Sequence, residues 1–205
     1  MATPSRLIVG ISGASGVIYG VRLLELARSL DIETHLVMTK AAEMTLAYET
    51  DFKVADVRAL ADVTYPVADV GAALASGSFR VLGMVVAPCS IRSMSEIAAG
   101  TTTNLLTRAA DVMLKERRPL VLMVRETPLH AGHLRNLTAL AELGAVIAPP
   151  VPAFYSMPES LDDIVNHTVG RILDLFDLDA GVVKRWGEEV PLRAPGQGTV
   201  SRRKG

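Results

Sequence analysis

The feature that most restricts the fold is a short segment near the amino terminus, in which an apolar run leads into three evenly spaced glycines. Residues 7–9 have the composition of a buried strand, Gly10, Gly13 and Gly16 follow, and an apolar helical pattern occupies residues 17–30. A strand, a glycine turn and a helix in this order direct backbone N–H groups and a helix amino terminus toward an anion. The segment therefore predicts a phosphate or flavin site; a turn that serves only packing is the alternative.

Apolar segments with the length of strands alternate with amphipathic helical patterns along the chain. The strand-like segments are residues 7–9, 32–38, 63–65, 81–87, 120–124 and 146–148. The helical patterns are residues 17–30, 41–48, 54–60, 94–99, 103–117, 131–143 and 160–178. This alternation predicts an α/β fold: a doubly wound, flavodoxin- or Rossmann-like, mostly parallel sheet with helices on both faces.

The length of the chain suits one domain. With 205 residues and no internal repeat, we expect a single domain over residues 1–188. Residues 189–205 contain Pro195, Gly196 and Gly198 and end in a basic segment. That composition predicts a flexible C-terminal tail that takes no part in the site.

Polar residues follow four of the predicted strands. They are residues 13–15, Thr39, residues 90–93, and Arg125 with Glu126. Ligands of doubly wound sheets bind beyond the carboxyl ends of the strands, so we expect these residues to converge on one site. A NAD-binding fold needs an acidic residue near the end of its second strand. Thr39 and Lys40 stand there instead, which favours a phosphorylated or flavin ligand over NAD.

The composition limits the partners and the compartment. Lys and Arg total 21 and Asp and Glu total 22, so the charge indicates no nucleic-acid partner. No apolar run approaches the roughly 18 residues that a membrane span requires, although hydrophobic residues make up 49% of the chain. We therefore expect no membrane partner and a homo-oligomer that covers the excess apolar surface. The single cysteine, Cys89, excludes an intrachain disulfide and fits a cytoplasmic location.

Cys89 and two histidines are the residues most open to a nucleophilic or metal-binding interpretation. No His lies at a motif-like spacing from Cys89, so we expect a small buried residue after a strand. His130 and His133 are spaced to share one face of a helix, but the sequence offers them no third ligand. We therefore predict no metal site.

Several short segments, consistently spaced between residues 6 and 188, carry a resemblance to one known family. They are Gly13-Ala14-Ser15-Gly16, Thr39-Lys40-Ala41-Ala42, Glu49-Thr50-Asp51, Pro88-Cys89-Ser90, Asn104-Leu105, Arg108-Ala109-Ala110-Asp111-Val112, Leu114-Lys115-Glu116-Arg117, Arg125-Glu126-Thr127-Pro128-Leu129, Pro152-Ala153-Phe154-Tyr155 and Gly170-Arg171-Ile172-Leu173. In these segments the chain resembles the UbiX-type flavin prenyltransferases. Thr39 stands where the family often has Ser, which keeps the hydroxyl, and residues 90–93 are variable in the family.

The resemblance implies an FMN-binding transferase that joins a dimethylallyl group from dimethylallyl phosphate to N5 and C6 of reduced FMN, with no metal and no protein nucleophile. Flavin N5 would attack the prenyl C1 as phosphate leaves, and a bond from the prenyl C3 to C6 would close a fourth ring. The product, prenylated FMN, would serve a UbiD-type decarboxylase, and the implied assembly is a dodecamer. Which decarboxylase is served, and whether the monophosphate or the diphosphate is preferred, stay open.

The resemblance also implies the FMN contacts. They are Gly13, Ala14, Ser15, Thr39, Ser90, Ile91, Arg92, Ser93 and Arg125. Hydroxyl and backbone N–H groups suit a phosphate and a flavin edge, and a guanidinium suits an anionic flavin or its phosphate. For Arg125 with Glu126, a surface ion pair is the alternative.

Allyl transfer needs cations and donors around the leaving phosphate, because negative charge builds there in the transition state. The candidates are Lys115, Arg171 and the Tyr155 hydroxyl, with Arg108 as a weaker one. On residue pattern alone, Lys115 is better explained as a solvated helix residue among Glu116, Arg117 and Arg118; the family resemblance reverses this preference.

The remaining catalytic candidates, with Lys115, are Ser15, Glu49, Glu126 and Trp186. Glu49 and Glu126 are placed to receive the proton that C6 loses, although the departing phosphate could receive it instead. Trp186 offers an electron-rich ring to a developing allyl cation, with packing as the alternative.

Two other functions compete with this one. An FMN-dependent decarboxylase related to the cysteine-decarboxylating flavoproteins would need a catalytic His and an Asn-bearing substrate clamp, where this chain has Pro88-Cys89-Ser90. A flavin-carrying subunit of a hydroxyarylic acid decarboxylase complex would not need the phosphate-binding candidates Lys115, Tyr155 and Arg171.

Overall fold

The computed structural model describes residues 5–188. Its strands are β1 (Arg6–Ile11), β2 (Glu33–Met38), β3 (Val63–Tyr65), β4 (Gly83–Cys89), β5 (Leu120–Val124) and β6 (Val146–Ile147). Its α-helices are α1 (Ile18–Ser29), α2 (Lys40–Glu49), α3 (Val54–Leu60), α4 (Ile91–Ala98), α5 (Leu105–Lys115), α6 (Ala131–Glu142) and α7 (Leu161–Asp174), and Ala73–Ala75 and Phe154–Ser156 form short 3-10 helices. None of the helices over residues 5–188 is long and apolar enough to cross a membrane. The predicted tail, residues 189–205, lies outside the described residues.

The six strands form one parallel sheet in the order β3-β2-β1-β4-β5-β6. Val9 of β1 pairs with Leu36 of β2 on one side and with Val85 of β4 on the other. The strand order therefore reverses between β1 and β4, and a doubly wound sheet opens its ligand crevice at such a point. The predicted fold is confirmed.

Alternate side chains of β1 point to the two faces of the sheet. Leu7, Val9 and Ile11 lie in one apolar core with side chains of α1, α2, α3 and α7. Ile8 lies in a second core with side chains of α4, α5 and α6. The sheet consequently separates α7 from α5, and this separation determines which of the predicted site residues can meet within one chain.

The segment between β4 and α4 differs from the prediction. β4 extends past residue 87, and α4 begins at Ile91 rather than at residue 94. Ser12 Oγ donates to the Pro88 carbonyl over 3.0 Å and accepts from the Ser90 N–H over 2.7 Å, which ties the end of β4 to the end of β1. The Ser90 hydroxyl then caps α4 by accepting from the Ser93 N–H. Residues 90–93 are thus the start of a helix, where the sequence pattern suggests a loop.

Both ends of α7 have identifiable causes. Ser160 Oγ accepts from the Asp163 N–H over 3.1 Å, and the Asp163 carboxylate accepts from the Ser160 N–H over 3.0 Å, as in a capping box. At the other end Asp177 adopts a left-handed φ of 58°, and the Leu178 N–H donates back to the Leu173 carbonyl over 3.2 Å. This turn ends α7 at Asp174, although the sequence pattern predicts a helix as far as residue 178.

A buried histidine lies between β2 and β3. His35 is 2% exposed, its Nε2 lies 2.9 Å from Glu33 Oε1, and its Nδ1 lies 3.0 Å from Tyr65 Oη. Burial disfavours the imidazolium and lowers the pKa of His35 below its ordinary value, although the hydrogen bond to Glu33 opposes the shift. His35 is therefore a satisfied core residue that resists protonation.

The first prediction concerns the pH dependence of stability. Below the ordinary histidine pKa of about 6.5, His35 is protonated in the unfolded chain but not in the folded chain, so the free energy of unfolding falls as the pH is lowered. Thermal unfolding measured across this pH range should show a smaller loss of stability for His35→Gln than for the wild type. Tyr65→Phe keeps the imidazole and should retain the wild-type pH dependence. An unchanged dependence in His35→Gln would contradict this explanation.

Candidate functional site

Two capped helices and the glycine turn begin around one groove at the carboxyl edge of the sheet. α2 is capped by Thr39, whose hydroxyl accepts from the Ala42 N–H over 3.1 Å, and α4 is capped by Ser90. The groove has a volume of about 270 Å³. Its lining includes Gly13, Thr39, Ser90, Arg92, Ser93 and Asn104. Lys40 and Glu96 also line it, and Glu96 pairs with Arg92 over 2.9 Å. The groove therefore combines hydroxyl groups, two cations, one carboxylate and the amino termini of two helices, and the cations and helix termini suit an anionic ligand.

The structure brings most of the predicted FMN contacts together. Five of them line the groove: Gly13, Thr39, Ser90, Arg92 and Ser93. Ala14 and Ser15 continue the glycine turn, and Ile91 lies in the first turn of α4.

Arg125 lies next to these residues. Its backbone N–H donates to the Cys89 carbonyl at the end of β4 over 3.1 Å. Burial raises the pKa of the Tyr19 hydroxyl above its usual value, and the positive charge of Arg125 opposes that rise. Arg125 therefore lies near the start of α1, with an exposed side chain, and Glu126 is the next residue.

Glu49 occupies the amino terminus of α1. Its Oε2 accepts from the Gly16 N–H over 2.8 Å and from the Val17 N–H over 3.4 Å. The sequence pattern assigns these N–H groups to an external anion, but a carboxylate of the chain itself uses them. Within residues 5–188, the N–H groups left for a ligand are those of Gly13 and Ser15 and those at residues 40–41 and 91–92. The Ala14 N–H donates to the Ser12 carbonyl over 2.9 Å. Glu49 and Ser15, both catalytic candidates, are consequently neighbours in this turn.

A second group of predicted residues surrounds α7. Tyr155 Oη lies 3.2 Å from His167 Nε2, and the rings of Tyr155 and Trp186 meet edge to face with 5.2 Å between centroids. Arg171 lies one turn beyond His167 on α7, and its Nη1 donates to Asp174 over 2.6 Å. The predicted residues Tyr155, Arg171 and Trp186 are thus assembled by the 3-10 helix before α7, by α7 itself and by the chain that follows it.

Two residues of this group, Asp174 and His167, are not predicted from the sequence. Hydrogen bonds from Arg185, over 3.0 and 3.1 Å, hold the pKa of Asp174 below its usual value, and the bond from Arg171 adds to them. The helical spacing of Asp174, three residues after Arg171, is a pattern from which their pairing could have been predicted. No pattern in the sequence pairs His167 with Tyr155, which lies in the 3-10 helix before α7.

Lys115 lies far from both groups. It is the last residue of α5 and pairs with Glu116, and Arg118 donates to the carbonyls of Gly77 and Phe79 over 2.6 Å each. The Phe79 ring lies under Arg6, the first residue of β1, so this region is the amino edge of the sheet. The groove is at the other end of β1, roughly 20 Å away at about 3.3 Å per strand residue. Within one chain, Lys115 therefore reaches neither the groove nor α7, which lies on the other face of the sheet.

Arg108 is a different case. It lies in the second turn of α5, half-buried, and its Nη1 donates to Asp111 over 2.7 Å. The start of α5 is near the groove, because its cap Asn104 lines it. Arg108 is thus closer to the groove than Lys115 along the same helix.

Large apolar side chains are exposed near the groove and near the residues around α7. Near Glu49 they are Met44 at 61% and Tyr48 at 84%, and near Tyr155 they are Phe154 at 72%, Met157 at 75% and Leu161 at 81%. Large apolar side chains that are exposed close together along the chain favour a contact with another chain.

Cys89 and His130 have structural roles in the described part of the chain. Cys89 is fully buried in β4, and burial raises the pKa of its thiol to about 12. His130 Nδ1 caps α6 by accepting from the N–H groups of Gly132 and His133. Residues 5–188 contain no group of three or more His, Cys, Asp or Glu side chains that could hold a metal ion.

The groove depends on close packing of the glycine turn against α2, which gives the second prediction. A Cβ atom at Gly13 would lie 2.3 Å from the Ala41 Cβ. Gly13→Ala must therefore push the turn away from α2, at a cost of about 1–3 kcal/mol, and should weaken FMN binding about 5- to 150-fold if that cost falls on the bound state. Fluorescence titration with FMN measures the effect. Gly71→Ala, whose Cβ meets only ordinary contacts, is the control; equal affinities in both variants would contradict the packing argument.

Comparison with known proteins adds four findings. The flavoprotein family model matches residues 1–173. The flavin prenyltransferase UbiX of Escherichia coli K12 is 63% identical over 184 residues, which cover 88% of this chain and 97% of that protein. The crystal structure of AnUbiX (PadA1) in complex with FMN and dimethylallyl pyrophosphate has a TM-score of 0.89 at 50% identity and covers 90% of this chain and 98% of that one. A dodecameric FMN-dependent Ubix-like decarboxylase from Escherichia coli O157:H7 has a TM-score of 0.87 at 49% identity, with 88% and 98% covered.

Proposed function

This chain belongs to the flavoprotein family and, within it, to the UbiX flavin prenyltransferases, and we propose on that premise that it joins a dimethylallyl group from dimethylallyl phosphate to N5 and C6 of reduced FMN. The groove at the carboxyl edge of the sheet carries the proposal. Five predicted FMN contacts line it. A related structure holds FMN together with dimethylallyl pyrophosphate, which supports the same pair of ligand classes here.

The residues around the groove fit FMN. Hydroxyls of Thr39, Ser90 and Ser93 and the amino termini of α2 and α4 suit a phosphate and a flavin edge. Arg125 adds a positive charge beside them. When bound, reduced FMN supplies the nitrogen and carbon atoms that accept the prenyl group. We assign this binding to a single domain over residues 1–188.

The group around α7 suits the other ligand. Arg171 uses one guanidinium nitrogen for Asp174, and its side chain is 54% exposed, so its remaining N–H groups are available to a phosphate. Tyr155 adds a hydroxyl, and Trp186 adds a ring suited to a developing allyl cation. In the proposed site this group binds dimethylallyl phosphate and stabilises the charge that builds on its leaving phosphate.

Lys115 completes the phosphate site only from another copy of the chain. Within one chain it lies at the opposite edge of the sheet from the groove and on the opposite face from α7. A homo-oligomer with its sites between subunits would bring Lys115 of one copy to the phosphate site of another. We propose that the chain forms a dodecamer, as described for the E. coli O157:H7 relative. The exposed apolar side chains near Glu49 and Tyr155 support such contacts.

Two carboxylates near the groove, Glu49 and Glu126, are the candidates for accepting the proton. Glu49 lies in the same turn as Ser15 through its bonds to Gly16 and Val17. Glu126 follows Arg125 and accepts from the Thr127 N–H over 2.9 Å. We assign the proton released from the accepting carbon to one of these two carboxylates, with Ser15 as the hydroxyl next to Glu49. We place the reaction in the cytoplasm and assign its product to a UbiD-type decarboxylase, as the family resemblance implies.

One observation favours a second function, because the E. coli O157:H7 relative is described as a decarboxylase. Loss of carbon dioxide from a cysteine-ended peptide or a hydroxyarylic acid, without prenyl transfer, would support that alternative. The buried Cys89 argues against a decarboxylation that relies on this thiol as a nucleophile.

The third prediction tests the ligand assignment. The purified protein should bind one FMN per chain and no NAD, because Thr39 and Lys40 follow β2 where a dinucleotide site needs an acidic residue. Absorbance after desalting measures bound flavin. Phosphate should then be released anaerobically only when reduced FMN and dimethylallyl phosphate are both present; release without flavin, or no flavin after desalting, would contradict the assignment.

A further inference from the structure

His167 makes a polar contact with Tyr155 of the proposed substrate site. It is 6% exposed on α7, and its Nε2 lies 3.2 Å from Tyr155 Oη. The two rings meet edge to face with 5.5 Å between centroids, and Trp186 meets Tyr155 in the same manner. One hydrogen bond and two right-angle ring contacts therefore hold the phenol of Tyr155, which lies in the short 3-10 helix before α7.

The direction of this hydrogen bond determines what Tyr155 offers to a ligand. A tyrosine hydroxyl has one proton, and the oxygens of an ionised phosphate only accept hydrogen bonds. If Tyr155 donates to His167, the hydroxyl presents only lone pairs to the phosphate. If His167 donates from Nε2, the hydroxyl proton of Tyr155 is free for the phosphate. While the hydrogen bond to His167 is kept, Tyr155 therefore donates to a phosphate only when Nε2 of His167 carries a proton.

We infer that His167 is a positioning residue, which donates from Nε2 to Tyr155 and so turns the Tyr155 hydroxyl proton toward the leaving phosphate. The inference rests on the proposed function. Both the neutral Nε2–H tautomer and the imidazolium supply the required donor. Arg171 lies one helical turn from His167, so α7 fixes the positions of the guanidinium and of the Tyr155 hydroxyl together.

Two substitutions separate the donor from the packing of the ring. His167→Phe keeps an aromatic ring against Tyr155 but has no donor, and it should raise KM for dimethylallyl phosphate about 5- to 20-fold. His167→Gln places an amide N–H near the former Nε2 and should restore a KM close to the wild-type value. FMN affinity should be unchanged in both variants. Thr168→Val, which changes the adjacent residue of α7, is the matched control and should behave as the wild type.

A double substitution tests whether His167 acts through the Tyr155 hydroxyl. In a Tyr155→Phe background, His167→Phe should cause no further loss, because the hydroxyl it orients is gone. The inference is overturned if His167→Phe has the wild-type KM, if His167→Gln fails to rescue, or if the loss persists in the Tyr155→Phe background. If His167→Phe fails to assemble, His167→Met, which also lacks a donor, replaces it. Failure of the wild type itself to convert reduced FMN would refute the proposed function instead.

Discussion

Replacing Lys115 with alanine should slow phosphate release about 30- to 1000-fold, because one charge-assisted contact to a leaving phosphate contributes roughly 2–4 kcal/mol to the transition state. Arg171→Ala should cause a loss of similar size. FMN binding should stay intact in both variants, since neither residue lines the groove. Single-turnover conversion of reduced FMN, followed by absorbance and by released phosphate, measures the rates.

Matched variants separate charge from geometry. Arg171→Lys keeps the charge but loses the planar fork of the guanidinium, so its rate should lie between those of the wild type and Arg171→Ala. Arg135→Ala removes an exposed cation on α6 and should leave the rate unchanged. If Lys115→Ala and Arg171→Ala both react at the wild-type rate with saturating dimethylallyl phosphate, the assigned phosphate site is wrong.

Combining two slow variants in one oligomer should restore part of the activity. Lys115→Ala and Arg125→Ala remove residues that one chain places at opposite edges of the sheet. If each site takes Lys115 from one copy and Arg125 from another, random mixing leaves about one quarter of the sites with both residues intact. Coexpression of the two variants with different tags, purification through both tags and a single-turnover assay measure the recovery.

The control for this experiment combines both substitutions in the same chain. Coexpression of that doubly substituted chain with the wild type should leave about one quarter of the sites with neither substitution, and homogeneous oligomers of either single variant should stay slow. Mixed oligomers of the two single variants that are no more active than either variant alone would mean that one chain supplies both residues, and the shared site would be refuted.

The sequence predicted the sheet and the groove because both follow from local patterns. Parallel strands that alternate with helices end at the same edge, so Thr39, Ser90 and Arg125 converge once the fold is known. Residues 90–93 were harder to predict, because Ser12 and Ser90 form a hydrogen bond between segments far apart in the chain. That bond and the Ser90 cap move the start of α4 to Ile91, so several predicted FMN contacts lie in the first turn of a helix.

The positions of Glu49, Lys115 and His167 required the structure. Glu49 occupies backbone N–H groups that the glycine spacing leaves apparently free, and only the packing of α2 beside the turn reveals this. The sequence gives no indication of which face of the sheet carries α5 and which carries α7, so it could not separate Lys115 from Arg171. The contact of His167 with Tyr155 joins α7 to the 3-10 helix before it without any pairing pattern in the sequence.

The mass of the flavin after anaerobic incubation tests prenyl transfer most directly. The protein is incubated with reduced FMN and dimethylallyl phosphate, and the flavin is then extracted and analysed by mass spectrometry. Transfer to N5 and C6 predicts a flavin heavier than FMN by one dimethylallyl unit, formed by the wild type and strongly reduced in Lys115→Ala. Recovery of FMN at its original mass, with dimethylallyl phosphate unconsumed, would contradict the assignment of this chain as a flavin prenyltransferase.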